Sequence, residues 1–399
     1  MNIIVQKFGG TSVSTPERRK LVAQKIIKAK ESGYCPVVVV SAMGRIGDPY
    51  ATDSLLALIS ENFINKNPQA TDLLISCGEI ISTVILCDEL YKNNIASVPL
   101  TGGLAGILTN NNYNNATVTT VLTENLFSIL KDNKIPVVAG FQGQNECGYI
   151  TTLGRGGSDV TAALLGVALN ASYIEIYTDV DGIMTADPRI VSEASLIHQI
   201  NYNDVFQFAD QGAKVIHPRA VEIAMKANVP LVIKNTLNDC EGTIINNESL
   251  EGSSKLITGI THISNRVQIK IMFVNNINNK LYDNKLEFLA KNLISIDLIN
   301  IFPKEQIFTV DLKDVIKLEQ LMKKSHLNYT RIDSCSKIAI IGSRITGIPG
   351  VMARILRTLT NENIEVLQTA DSNTTIWCLV ESKYTQLAIN ALHKEFNLA

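Results

Sequence analysis

Gly154-Arg155-Gly156-Gly157-Ser158-Asp159, preceded by Thr151-Thr152-Leu153 and followed by the small-residue run Val160-Thr161-Ala162-Ala163-Leu164-Leu165, is the stretch from which the rest of the chain is read. Its glycines permit positive φ and let backbone N–H groups converge on an anion. Asp159 falls in the first turn of the following helix, beside the positive end of its dipole. Arg155 offers a planar fork suited to a carboxylate or a phosphate. The hexapeptide taken alone also fits a tight turn with a capping Asp. The choice between a turn and an anion site therefore rests on the rest of the chain.

With 399 residues, 46% hydrophobic and 19% charged, the chain has material for two or three domains with real cores. Its formal net charge of -2 gives no bulk attraction to nucleic acid or to a membrane surface. The seven cysteines (Cys35, Cys77, Cys87, Cys147, Cys240, Cys335, Cys378) are scattered, odd in number and never spaced C-x-x-C. Reduced thiols in a cytoplasmic protein are expected, rather than disulfides or a zinc site. Met1-Asn2-Ile3-Ile4-Val5 reads as a strand without a basic n-region, so no signal peptide is expected. No apolar run approaches the roughly 18 residues of a membrane span.

The first strand, 2–6, runs into Lys7-Phe8-Gly9-Gly10-Thr11-Ser12 and then a helix with Pro16 at its first position and Glu17 beside it. Pro36-Val37-Val38-Val39-Val40 is apolar on both faces, as in a parallel sheet covered by helices. This βαβ start is not a Walker A loop, because Lys7 precedes the glycines. A lysine at a strand end before two glycines can still reach phosphoryl oxygens. A helix is expected over 54–63. A second, over 73–90, contains Cys77-Gly78-Glu79, a carboxylate that costs stability in an apolar helix unless it faces something. Strands 96–100 and 136–139 end in Thr101-Gly102-Gly103 and Gly140-Phe141-Gln142-Gly143. Four strand ends thus carry Gly, Ser or Thr, where open α/β sheets collect ligands.

Strand 173–177 leads into Thr178-Asp179-Val180-Asp181-Gly182-Ile183-Met184-Thr185-Ala186-Asp187-Pro188-Arg189, whose acidic spacing is not that of a calcium loop. Helix 203–208 leads to Gln211-Gly212-Ala213-Lys214-Val215-Ile216-His217-Pro218-Arg219. His217 is read as structural, since no acid or nucleophile lies near it in sequence. After the polar stretch 239–254, two segments share one element order. The first is strand 267–273, helix 284–292, strands 295–300 and 306–312, helix 315–324. The second is strand 338–342, helix 351–361, strands 364–368 and 374–380, helix 385–396. Two βαββα units suggest paired ferredoxin-like domains. Gly347-Ile348-Pro349-Gly350-Val351 opens the first helix of the second unit, a good turn for binding the carboxylate of a small ligand.

These segments, in this order, resemble the monofunctional aspartate kinases (aspartokinases) of the amino acid kinase superfamily over essentially the whole chain. Lys7-Phe8-Gly9-Gly10-Thr11-Ser12-Val13 looks like the family's N-terminal signature, and 154–159, 178–189 and 212–219 match its later motifs. The resemblance implies an open, mainly parallel three-layer αβα kinase domain over 1–240 and a linker over 241–256. Two ferredoxin-like βαββα ACT domains would follow, over 257–332 and 333–399. The long loop 41–53 resembles the Firmicute subgroup inhibited by diaminopimelate.

The implied reaction transfers the ATP γ-phosphoryl group, with Mg2+, to the β-carboxylate of L-aspartate. It gives 4-phospho-L-aspartate, the first step toward lysine, methionine and threonine. By motif, Lys7 and Asp159 would be catalytic. Lys7, Gly9, Gly10, Thr178, Asp179, Met184, Arg189 and Lys214 would hold ATP. Ser41, Thr52, Glu79, Phe141, Arg155, Gly156 and Gly157 would hold aspartate. Asp297, Ile348 and Gly350 would contact an amino acid effector (diaminopimelate, lysine or threonine), in a homodimer or homotetramer formed through the ACT domains. No resident metal, nucleic acid or membrane partner is implied. The family pattern is departed from at Met184 (often tyrosine), at Leu104 (usually glutamine) and at Asn275–Asn279, which lacks Asp-x-Pro-Gly. The alternatives are a kinase for glutamate or N-acetylglutamate, and a non-catalytic amino acid sensor.

Overall fold

The computed structural model describes residues 1–213, 215–247, 256–272, 287, 289–324, 328–342, 345 and 348–399. Two compact units emerge. The first holds Met1–Ile183, Leu196–Asp210 and Lys214–Ser253; the second holds Met184–Ser195, Gln211–Ala213 and Ser254–Ala399. Lys214, Gly347 and the stretch 275–279 lie outside the described residues.

In the first unit the described strands are β1 (Ile3–Phe8), β2 (Cys35–Val40), β3 (Ser97–Leu100), β4 (Ile107–Thr109), β5 (Val118–Val121) and β6 (Ile135–Ala139). They continue with β7 (Gln142–Asn145), β8 (Ile150–Thr152), β9 (Tyr173–Thr178), β10 (Gln199–Asn201), β11 (Leu231–Asn235) and β12 (Thr243–Asn246). Eight of these form one sheet in the order β10-β12-β11-β9-β1-β2-β6-β3. Every neighbour pairing in it is parallel except β11 with β12. The chain leaves β1 toward β2 on one side and returns through β9 on the other. The carboxyl end of β1 is therefore the topological switch point, where an α/β sheet opens a crevice.

The pleat assigns the two sides of β1. Phe8 joins Val22, Ala23, Ile26, Val38, Val40, Leu86 and Leu90 in one apolar cluster, so helices Pro16–Glu31 and Pro68–Lys92 cover that face. Lys7, one residue earlier, points to the opposite face, where helix Gly157–Ala168 lies. The polar residues Gln6, Glu175 and Tyr177 share the Phe8 face. Gln6 Nε2 and the Tyr177 hydroxyl donate to Glu175 Oε2 at 2.8 and 3.1 Å, and Lys234 Nζ donates to Oε1 at 2.7 Å.

Three expectations change. The helix expected over 54–63 is two helices, Thr52–Leu56 and Glu61–Lys66, because the Ser60 hydroxyl accepts from Phe63 N–H and starts the chain afresh. A four-stranded sheet, β5-β4-β7-β8, was not expected at all. Its strands are short, and Gln142–Asn145 is Gln-Gly-Gln-Asn, with no apolar alternation to signal a strand. Finally, helix Pro68–Lys92 is long and apolar enough, by length and composition, to cross a membrane. It is instead built into the unit, with Asp72, Glu79 and Glu89 all turned inside.

The second unit contains β13 (Gly259–Met272), β14 (Ile296–Ile301), β15 (Glu305–Asp311), β16 (Tyr329–Ile341), β17 (Gln368–Asp371) and β18 (Thr375–Glu381). They form one sheet, β14-β15-β13-β16-β18-β17, antiparallel throughout. Numbered within each half, that order is second-third-first, first-third-second: two copies of one motif joined along their first strands. Helix Val315–Lys324 follows β15, and helices Val351–Asn361 and Thr385–Glu395 flank β17 and β18. The strand expected from 364 begins at Gln368. Asn363 is left-handed and Ile364 N–H bonds back to Leu359 O, so these residues finish the helix.

Leu86 is fully buried at the centre of the Phe8 cluster. Leu86→Ala is expected to lower unfolding free energy by about 2–5 kcal/mol through lost transfer energy and a cavity. A urea titration checks this, as a lower midpoint with an unchanged m-value.

Candidate active site

The switch-point crevice is built from the carboxyl ends of β1, β2, β6 and β9. Lys7 Nζ lies 2.6 Å from Asp159 Oδ1, with both side chains largely buried. Asp159 stands in the first turn of helix Gly157–Ala168. Its second oxygen accepts from His217 N–H at 3.1 Å. One carboxylate thus aims a lysine and is itself held by the chain entering helix Pro218–Ala227.

From Lys7 the backbone turns through Gly9 and Gly10. A side chain on Gly10 would sit 2.5 Å from Ala42 O and 2.8 Å from Gly44 O, so only glycine lets the loops after β1 and β2 approach this closely. Gly44 N–H also donates to Gly10 O at 3.0 Å. On the far side of this contact, Ala42 N–H donates to Glu79 Oε1 at 3.1 Å. Glu79 is 3% exposed, and its Oε2 has no hydrogen-bond partner. Burial pushes the Glu79 carboxyl up to about 8. A buried acid with one oxygen unanswered is a demand for a cation or a donor.

The opening hexapeptide closes the crevice. Gly156 is left-handed, and a side chain there would strike the His217 ring at 2.2 Å. His217 is the N-cap of its helix, its Nδ1 accepting from Arg219 N–H at 3.3 Å, and burial lowers its pKa. Arg219 in turn donates to Leu153 O at 3.0 Å. The reading of His217 as structural agrees with this geometry. Its acid neighbour, Asp159, is simply remote in sequence.

Gly157 packs against Phe141, whose φ of 70° turns the chain after β6. Phe141 N–H donates to Thr161 Oγ1, which donates to Gly157 O, at 3.1 and 2.9 Å. Arg155 is exposed and makes no ion pair among the described residues. Ser41 follows β2, its N–H donating to Phe8 O at 3.1 Å, and Thr52 begins the short helix beyond.

Thr178 ends β9, and its hydroxyl donates to Asp179 at 3.2 Å. Asp179 also pairs with Arg45 at 2.9 Å, joining the loops that flank β1. Asp181 is occupied by Asn235 and Asn238 amides, which lower its pKa. No group of three or more His, Cys, Asp or Glu is arranged for a metal among the described residues.

Met184 and Arg189 belong to the second unit, where Arg189 is ion-paired to Asp187 at 2.7 Å. Leu104, at the usual glutamine position, is exposed. In the second unit Asp297 pairs with the buried Lys337, Ile348 is exposed, and Gly350 is the left-handed N-cap of helix Val351–Asn361.

Sequence reasoning missed Asp72, Thr161 and the Ala42 backbone. Asp72 had a signal: it is a second carboxylate on an apolar helix, two turns before Glu79. The other two act through groups that no composition or spacing marks.

An amino acid kinase family model matches residues 2–235, and an ACT domain model matches 330–394. Aspartokinase 1 of Bacillus subtilis is 44% identical over 407 residues, covering the whole of both chains. E. coli aspartokinase III in complex with aspartate and ADP (R-state) superposes with a TM-score of 0.80 at 24% identity, over 98% of this chain and 99% of that one. The same enzyme with lysine and aspartate (T-state) gives 0.78 at 25% identity, over 99% and 100%. Family model, full-length relative and fold agree with a crevice that pairs a strand-end lysine with a helix-start aspartate: the chain belongs to the aspartokinases of the amino acid kinase family, with a C-terminal ACT region.

Proposed function

We propose that the crevice after β1 binds L-aspartate and ATP together and transfers the γ-phosphoryl group to the aspartate β-carboxylate. The observation that supports this most is continuity. Asp159, Lys7, Gly10, Ala42 and Glu79 form one chain of contacts, with a paired lysine at one end and a half-bonded buried carboxylate at the other. Lys7 and the Gly9–Gly10 backbone take the phosphoryl end, with Thr178 and Asp179 on the nucleotide side. Glu79 Oε2 accepts from the α-ammonium group. Arg155 clamps the α-carboxylate, with Gly156, Gly157 and Phe141 forming the floor and Ser41 and Thr52 the β2 side. Met184, Arg189 and Lys214 enter as ATP contacts on the family resemblance alone.

The nucleophile is a carboxylate that is ionised at neutral pH, so no general base is needed. What the protein supplies is in-line positioning and charge neutralisation. Asp159 acts by position: it keeps the Lys7 ammonium group at the end of β1. Mg2+ would enter with the nucleotide, since among the described residues no group of three or more His, Cys, Asp or Glu is arranged to hold a metal. When bound it supplies further neutralisation of phosphate charge. The ACT region would carry the effector, diaminopimelate, lysine or threonine, near Asp297, Ile348 and Gly350. The diaminopimelate-sensitive subgroup is favoured by the long loop 41–53. Two motif copies joined side by side make assembly into a homodimer or tetramer through this region part of the same reading. A cytoplasmic location belongs to the same reading, and the scattered free thiols support it.

The test is incubation with ATP, Mg2+, hydroxylamine and aspartate, glutamate or N-acetylglutamate in turn. Aspartyl hydroxamate alone is expected; none under any effector condition would sink the reading and favour a non-catalytic sensor. Asp159→Asn is expected to lower kcat by about 10²–10³ while circular dichroism stays native, because Lys7 loses its anchor. Near wild-type turnover would remove Asp159 from the mechanism.

Glu79 gives a pH dependence. Its value in the folded protein, about 8, lies above the ordinary 4.5, so at neutral pH it holds a proton that an incoming ammonium group must displace. The KM for aspartate should therefore fall as pH rises from about 6.5 to about 8.5. Glu79→Gln should raise that KM and flatten its pH profile. The same shift makes Glu79 a growing cost to folding as pH rises from 4.5 to about 8, and a level one above.

A further inference from the structure

Asp72 lies on helix Pro68–Lys92 seven residues before Glu79, two turns away on the same face. It is fully buried. Its carboxylate is nevertheless saturated with donors. Thr152 N–H reaches Oδ2 and the Thr152 hydroxyl reaches Oδ1, both at 2.8 Å, while Asn114 N–H is shared between the two oxygens at 3.0 and 3.1 Å. Burial raises the carboxyl pKa and these donors oppose the rise. All of them donate, so the pattern fits a carboxylate rather than a carboxylic acid.

Both partners lead to one residue of the Gly-rich loop, Thr152 along the chain and Asn114 through space. Thr152 ends β8, two positions before Gly154. On the other side, a side chain at Gly154 would meet Asn115 Oδ1 at 2.9 Å and Asn114 O at 3.2 Å. Between Asp72 and Glu79 a second tie holds the same helix face: Gln142 Nε2 donates to Ser76 O at 3.0 Å, and Gln142 directly follows Phe141. Residues 72, 76 and 79 thus form a polar stripe along one face of the helix. Two of its members bind the segments that carry Phe141 and Arg155.

Resting on the substrate reading above, we infer that Asp72 is a positioning residue for the amino acid substrate. It sets the distance between Glu79, which takes the ammonium end, and Arg155, which takes the α-carboxylate. The carboxylate satisfies buried donors, Thr152 N–H among them, that an apolar side chain would orphan, so a stability role is part of its work and the test has to read substrate affinity as well. What the carboxylate adds is a fixed register between a helix and a loop that bear the two halves of one grip. Among the described residues, no hydrogen bond joins Asp72 to the nucleotide side of the crevice at β1 and β9.

The test separates the two substrates. Asp72→Asn replaces one acceptor by an NH2 group facing Thr152 or Asn114 N–H. It is expected to raise the KM for aspartate about tenfold while the KM for ATP stays within about twofold. Thr152→Val removes only the hydroxyl donor and should raise the same KM by about two- to fivefold. Because that hydroxyl acts through Asp72, the double variant should be no worse than Asp72→Asn alone. Equal rises in both KM values, or an unchanged KM for aspartate in Thr152→Val, would overturn the inference. The second variant decides if the first does not fold. Wild type is assayed alongside: no aspartyl hydroxamate from it refutes the substrate reading and this inference together. Wild-type turnover with variants that leave the KM ratio unchanged refutes the positioning role alone.

Discussion

The largely buried pair of Lys7 and Asp159 is the interaction on which the crevice depends. It joins the end of the central strand β1 to the start of helix Gly157–Ala168 across one face of the sheet. Removing one member of such a pair leaves an uncompensated charge and typically costs about 3–5 kcal/mol. The pair also dictates its surroundings. Asp159 can keep one oxygen for Lys7 because His217 N–H holds the other. The His217 ring can lie there because residue 156 has no side chain. Gly10, Gly156 and Gly157 each answer a close approach of this kind, so the Gly-rich stretches record packing as much as flexibility.

Helix Pro68–Lys92 shows why composition alone misleads. Its apolar length would suit a lipid bilayer, yet a polar stripe on it takes backbone donors at Asp72 and Glu79 and the Gln142 side-chain amide at the Ser76 carbonyl, from three separate segments. The helix is a ruler laid along the crevice: apolar contacts fix its height over the sheet, and the stripe fixes its rotation and register. Glu79 is the half-bonded member of that stripe: Oε1 accepts from Ala42 N–H, whereas Oε2 has no partner.

The second unit solves a different problem with a repeated motif. Two copies share one sheet by pairing their first strands, β13 and β16, so neither first strand is left as an open edge. The copies are unequal in detail. Asp297 in the first is committed to Lys337. Gly350 in the second forms the left-handed entrance to a helix.

Much of this was legible in the residues. Continuous β-branched runs such as Val37–Val40 require a covered parallel sheet, and glycines after such runs locate the ligand edge. Lys7, Gly10, Glu79, Arg155 and Asp159 are all visible as chemistry placed where a fold of this class puts its site. The sequence also determined the repeat, because its period is local. Only the tertiary structure decided who meets whom. The Lys7–Asp159 pair, the Glu79 bond to Ala42 and the grip of Asp72 on Thr152 join residues far apart in the chain, and their existence depends on strand order and helix rotation. The small sheet containing Gln142–Asn145 was hidden for the same reason: its strands are held by neighbours, not by an apolar period. Local periodicity specifies elements, whereas a site made of pairings between distant elements exists only once the register between them is set.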